Sequence, residues 1–192
     1  MEYGDEKIIR QRLALNAEKS HSVNNKVEID GVEYTFARRE FEFGFSMVVP
    51  EAFETMPHDA AKRKFPYEDR PPIIISGDDY KVCLAFNRQA PTSESLEERL
   101  HSYRSFIKKL HPSDVFLSEK ICDTSDGLKV GCYDYRYAVL DSDIYNITYF
   151  TDLPGLELLG WFICPIDVMD KWETLARQMI ESIEILEVGE NE

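Results

Sequence analysis

Histidine and cysteine are scarce, four of each among 192 residues. Cys83, Cys122, Cys132 and Cys164 form no Cys-x-x-Cys pair, and no two histidines sit four apart on one helical face. Zinc-ribbon, thioredoxin-like and helical zinc motifs are thereby excluded. No uninterrupted apolar run approaches bilayer length, so no membrane span is read. The amino terminus, MEYGDEKIIRQRLALNAEKS, has no basic segment followed by an apolar one, so no secretory signal is read there. A cytoplasmic location with reduced thiols is expected. Positive charge is also short: 22 basic against 36 acidic side chains leave a net charge of −14. That field repels phosphate backbones and anionic lipid, so neither nucleic acid nor a membrane surface is an expected partner.

What is present is a globular composition. Apolar residues make up 43% and charged residues 30%, with ten tyrosines and eleven phenylalanines, far from the profile of a disordered chain. The length suits one domain with an appendage. Residues 1–24 read as an extension: a short helix over residues 5 to about 20, with Ile8, Ile9 and Leu13 to one side, then the polar linker SHSVNNK. Residues 25–192 read as a single α+β domain with a short acidic tail, EVGENE.

Within that domain the strand and helix signals alternate clearly. VEIDGVEYTF carries Asp30-Gly31, a two-residue hairpin turn, which sets Ile29 opposite Val32 and Val27 opposite Tyr34. FEFGFSMVV reads as one half-buried strand, with Phe41, Phe43, Phe45, Met47 and Val49 on one side. RPPIIISG and YKVCLAFN read as two strands joined at Gly77-Asp78-Asp79. Ser95 and Glu98 fit a capping box, and Leu96, Leu100, Tyr103, Ile107 and Leu110 form a helical stripe ended by Pro112. From Asp114 to Cys164, strands are broken at DTSDG, LDSD and DLPG, each break short enough for antiparallel neighbours. Pro165 and Asp167 open a last helix whose stripe is Val168, Trp172, Leu175, Met179 and Ile183. The expected fold is a mostly antiparallel sheet of six or more strands flanked by helices, an α/β/α sandwich with an N-terminal β-hairpin and an extra N-terminal helix.

This order of elements resembles the PsbP-like superfamily, which includes the Ran-binding Mog proteins and DcrB-type bacterial proteins. The likeness covers roughly residues 27 to 188. It rests on the hairpin, the strand ending MVVPE with Phe53 soon after, the strand pair, the long helix, the four strands and the terminal MIESIEIL. The resemblance implies an antiparallel sheet with flanking helices, and members that mostly bind or chaperone other proteins rather than catalyse. The amino-terminal helix and the lack of an export or lipoprotein signal depart from the family pattern.

Single residues that invite a chemical role have simpler structural explanations. Pro50 cannot donate to a continuing ladder, so MVVPEAFETMP reads as a corner with Phe53 and Met56 tucked beneath, and Glu51 has no His, Cys or second carboxylate at a useful spacing. Cys164, between a strand and a helix start, is the best nucleophile candidate, yet it reads as a buried core thiol. His101 lies on the solvated side of its helix with Glu97, Arg104 and Lys108, and His111 is turned roughly 80° away from it, so they share no metal. His21 and His58 fall in polar loops. Asp78-Asp79, DTSD and DSD read as turns, and KRK at 62–64 as a solvated face. In ICDTSDGLKVGC an even loop sets Cys122 and Cys132 on opposite faces, whereas an odd loop or a bulge lets them meet; a disulfide is disfavoured.

The tyrosines of CYDYRYAVLDSDIYNITYF carry the binding expectation. With a three-residue loop at Asp141 to Asp143, Tyr133, Tyr135, Tyr137, Tyr145 and Tyr149 stack on one face, either a core rim or a recognition surface. The sequence therefore points to a non-enzymatic, adapter- or chaperone-like domain that binds an unidentified protein or peptide, without cofactor or metal. A small-molecule binder or enzyme with a pocket near Cys164 or His101 is one alternative. A structural protein that self-associates as a homo-oligomer is another.

Overall fold

A computed structural model describes residues 21–186 apart from residue 141. The helix expected over residues 5 to 20 and the tail of residues 187–192 lie outside the described residues.

The first hairpin follows its turn chemistry. Asp30 and Gly31 both take positive φ, 52° and 78°, as a two-residue turn of this type requires. Strands β1 (Val27–Ile29) and β2 (Val32–Tyr34) then pair with Ile29 opposite Val32 and Val27 opposite Tyr34. Val27 and Ile29 enter the core, while Val32 remains half exposed.

The next segment departs from the single strand expected across FEFGFSMVV. Strand β3 (Phe36–Phe41) turns through Glu42, Phe43 and Gly44 and returns as β4 (Phe45–Pro50), with Phe41 opposite Phe45. Gly44 takes φ +81° and its amide donates to the Phe41 carbonyl at 3.1 Å, a three-residue hairpin loop closed by glycine. Alternation survives the turn, so Phe41, Phe45, Met47 and Val49 are all buried. Pro50 ends β4, the Phe53 amide donates to the Pro50 carbonyl at 3.0 Å, and Phe53 and Met56 tuck into the core, the expected corner.

The chain continues as β5 (Glu54–Thr55), α1 (His58–Lys64), β6 (Ile73–Ser76), β7 (Cys83–Gln89) and α2 (Leu96–Leu110). Strands β8 (Val115–Asp123), β9 (Lys129–Val139), β10 (Ser142–Leu153) and β11 (Leu156–Pro165) form a meander. A 3₁₀ turn, Ile166–Val168, leads into α3 (Met169–Glu181) and the short β12 (Glu184–Ile185). One sheet has seven strands, all antiparallel, in the order β5-β6-β7-β11-β10-β9-β8, and β12-β4-β3 make a smaller one.

Helices cover both faces of the large sheet, so the α/β/α sandwich is the observed architecture. Helix α2 opens with a capping box: the Glu98 amide donates to the Ser95 hydroxyl and the Ser95 amide to the Glu98 carboxylate. Leu96, Leu100, Tyr103 and Ile107 pack on Tyr133, Tyr135, Phe150 and Leu159. Leu110, expected in the same stripe, is the last residue of the helix, beyond that cluster and 56% exposed. On the opposite face, Trp172, Leu175, Met179 and, past the helix end, Ile183 join Phe45, Met47, Leu84, Phe86, Ile147 and Phe162 in the main core.

Candidate functional site

The five tyrosines do not form the expected single face. Val139 pairs with Ser142, so two positions, not three, separate the paired ends of β9 and β10. A loop of two residues instead of three reverses the parity between the strands. Tyr133, Tyr135 and Tyr137 therefore face α2, whereas Tyr145 and Tyr149 face α3. Tyr133 and Tyr135 pack against Phe116 and each other, and Tyr137 against Tyr135, with centroids 5.4 to 5.9 Å apart. Tyr133, Tyr135, Tyr145 and Tyr149 are buried, and only Tyr137 reaches partly to the surface. Burial raises the pKa of all five phenols, that of Tyr135 to about 12.

The thiol and imidazole candidates separate in the same way. Cys164 is fully buried and burial pushes its thiol up to about 12, the opposite of an activated nucleophile. His101 lies exposed on α2, as its helical position implies. Cys122 and Cys132 overturn the expectation of opposite faces. The β8–β9 loop spans Thr124 to Leu128, five residues, because Asp123 pairs with Lys129. An odd loop puts both cysteines on the α3 side, though both are free thiols.

Two buried polar networks lock helices onto the sheet. Arg99 of α2 is 2% exposed and donates to Asp152 at 2.8 and 2.6 Å, with Glu157 at 3.3 Å, and Tyr103 donates to Glu157 at 2.8 Å. Desolvation alone would lower the Arg99 pKa, but the two carboxylates outweigh it and the net shift is upward. On the α3 side, buried Asp134 accepts from Ser118 at 2.5 Å, Tyr145 at 2.7 Å and Arg177 at 2.8 Å. Each acceptor in these networks faces protein donors, so both read as structural clamps.

Open space gathers at one end of the large sheet, where two clefts adjoin and share Lys81 and Pro165. The first, about 610 Å³, has Phe53 and Trp172 in its lining, with Tyr34 beside them and Asp30, Asp79 and Asp167 around it. The second, about 530 Å³, runs between the end of α1, the β6–β7 loop and the β9–β10 hairpin, lined by Phe65, Tyr67, Tyr80, Tyr137, Val139 and Ile144. The Lys64 ammonium donates to the carbonyls of Tyr80 and Lys81 at 2.5 and 2.8 Å, which pins the loop wall of this groove. Tyr80 itself takes φ +57°, a conformation that only a well-held loop maintains in a residue of its size. Two of the lining residues, Tyr67 and Val139, are exposed, and Leu140, next in the chain after Val139, is 98% exposed.

Of the expected tyrosines, only Tyr137 belongs to this groove. Tyr67 was missed because KFPYEDRPP carries no periodicity, and Tyr80 because YKVCLAFN was read as strand from its first residue, whereas the strand begins at Cys83 and Tyr80 belongs to the loop before it. Among the described residues no group of three or more His, Cys, Asp or Glu side chains is arranged to hold a metal ion. No helix of the described residues is long and apolar enough to cross a membrane.

No protein-family model matches the chain, and no curated protein matches it either. Solved structures do. The cyanobacterial PsbP (CyanoP) of Synechocystis superposes with a TM-score of 0.58 at 11% identity, over 84% of this chain and 98% of that one. A protein of unknown function from Pseudomonas aeruginosa matches with a TM-score of 0.50 at 12% identity, over 76% of this chain and 94% of that one. A structure from Bacteroides thetaiotaomicron gives 0.50 at 10% identity, over 77% of this chain and 47% of its own length. At these identities the likeness is one of fold.

Proposed function

We propose that this chain, which has the PsbP-like fold, is a non-enzymatic domain that binds a protein or peptide segment in the groove between Tyr67, Tyr80 and Tyr137. The observation that carries the reading is a groove whose lining includes the exposed apolar side chains Tyr67 and Val139, with the exposed Leu140 next to Val139 in the chain. Single exposed apolar residues are ordinary on a protein surface, but an apolar strip beside a concave aromatic lining is the usual mark of a recognition site. Tyrosine suits the role because its ring gives rigid contact area and its hydroxyl a hydrogen bond at the rim. The nature of the groove favours an extended, apolar-aromatic segment, and the cytoplasm is the compartment in which we place the encounter.

The test uses the most exposed rim residues, so that the fold is spared. Tagged full-length protein and a Tyr67→Ala/Leu140→Ala double variant are compared in capture from native lysate and in selection from a displayed peptide library, with thermal melting to confirm folding. We expect ligands that the parent retains and the variant loses by at least about tenfold, as befits loss of two large apolar side chains from the rim. Equal retention by both proteins, or nothing retained by either, defeats the reading.

A further inference from the structure

Cys122 and Cys132 sit on adjacent strands in a special relation. Cys122 is opposite Val130 and Cys132 is opposite Lys120, so the two cysteines are diagonal neighbours on one face of the sheet. The Cys122 thiol donates to the Val130 carbonyl at 3.6 Å, and the two thiols are close enough to shift each other's ionisation. Cys132 is buried, while Cys122 is partly open to solvent. The charged groups that face the pair are Lys120 of β8 and Arg177 and Glu181 of α3, with Lys120 and Glu181 paired at 3.3 Å.

We propose that Cys122 and Cys132 form a dithiol that hydrogen peroxide oxidises to an intramolecular disulfide, Cys122 taking the oxygen and Cys132 resolving it. The Cys122 thiolate attacks one peroxide oxygen and the O–O bond breaks. Cys122 becomes a sulfenic acid, and the departing hydroxide takes a proton to become water. The Cys132 sulfur then attacks the Cys122 sulfur and displaces the hydroxyl, which leaves as a second water carrying the Cys132 thiol proton. Two thiols lose two electrons and one peroxide gains them.

The pair is built for this division of labour. The interaction with Cys132 outweighs burial and draws the Cys122 thiol down to about 7, whereas Cys122 and burial together push Cys132 up, so that it keeps its proton until it attacks. Cys83 and Cys164 are fully buried, and burial raises both. A diagonal cross-strand pair is wider at its Cα atoms than a relaxed disulfide, so closure requires β8 to shift toward β9. Strand β8 has that freedom: it is the sheet's last strand, paired on one side only, and its register is already broken between Phe116 and Ser118.

The experiment treats reduced, folded full-length protein with hydrogen peroxide, quenches with an alkylating agent and digests with trypsin. Cleavage after Lys120, Lys129 and Arg136 puts the two cysteines on separate peptides, ICDTSDGLK and VGCYDYR, which the disulfide would join. We expect that linked pair within a monomer, with Cys122 consumed at least about tenfold faster than Cys83 or Cys164. In Cys132→Ser, and in Cys132→Ala as a second packing choice, dimedone should trap a sulfenic acid on Cys122. Iodoacetamide labelling of Cys122 in the untreated protein should reach half its maximum at a lower pH than labelling of Cys83 or Cys164. Oxidation of Cys122 no faster than the buried thiols, or a linkage found only between two molecules, overturns the proposal.

Discussion

Tyr149 and Gly160 are directly opposite across β10 and β11, and the tyrosine ring lies over the glycine so closely that a Cβ there would meet it at 2.3 Å. Gly160→Ala should destabilise the fold by about 1–3 kcal/mol through overpacking. The cost should shrink in a Tyr149→Leu background, which chemical denaturation of the four proteins would measure as a coupling energy. The hydroxyl of the same tyrosine is buried and has no hydrogen-bond partner among the described residues. Tyr149→Phe is therefore expected to leave stability unchanged or raise it by up to about 1 kcal/mol. A loss larger than that would mean that the hydroxyl has a partner. Single residues also decided what was legible in the sequence. The alternation of tyrosines in β9 and β10 was plain, yet their faces hung on one residue of loop length. Gly44 likewise turned one apparent strand into a hairpin without disturbing its burial pattern. Parity along a strand is local and visible; parity across a turn depends on a backbone geometry that composition leaves open.

At the level of elements, the capping box of α2, the stripe of α3 and the hairpin register at Asp30-Gly31 were all visible beforehand, since each is set by residues within one or two turns of chain. Arg99 was not. It falls on the face of α2 that meets the sheet, where a helical pattern anticipates an apolar side chain, and its partners Asp152 and Glu157 belong to the distant β10–β11 hairpin. Arg99→Leu should cost about 3–5 kcal/mol because it leaves the buried Glu157 carboxylate without its cation. The double replacement Arg99→Leu/Glu157→Leu should recover most of the loss. Denaturant midpoints would decide this, and a single variant as stable as the double would show that the pair does not clamp α2.

For the whole molecule, the order of elements and the two apolar helix faces were enough to anticipate a sheet covered on both sides, because burying those faces admits few arrangements. The groove escaped notice since it is assembled from two loops and parts of three strands that only the finished fold brings together. The excess of acidic residues has its own consequence at this scale. With a net charge of −14 the native state repels itself, so raising monovalent salt from about 0.01 M to about 0.15 M should increase the melting temperature. A melting temperature that falls over this range would mean that the surface ion pairs outweigh the general repulsion.

The strand order also bears on the sequence of events by which the chain becomes ordered. From β8 to β11 each strand pairs with the next in the chain, so this meander can zip together through short loops. Strand β7, by contrast, must wait to pair with β11 until α2 and three further strands have been laid down, and it brings β5 and β6 with it. Closing so long a stretch of chain has an entropy cost that only the completed sheet offsets. Conservative core changes in the meander should therefore slow refolding, whereas those along the β7–β11 seam should mainly hasten unfolding.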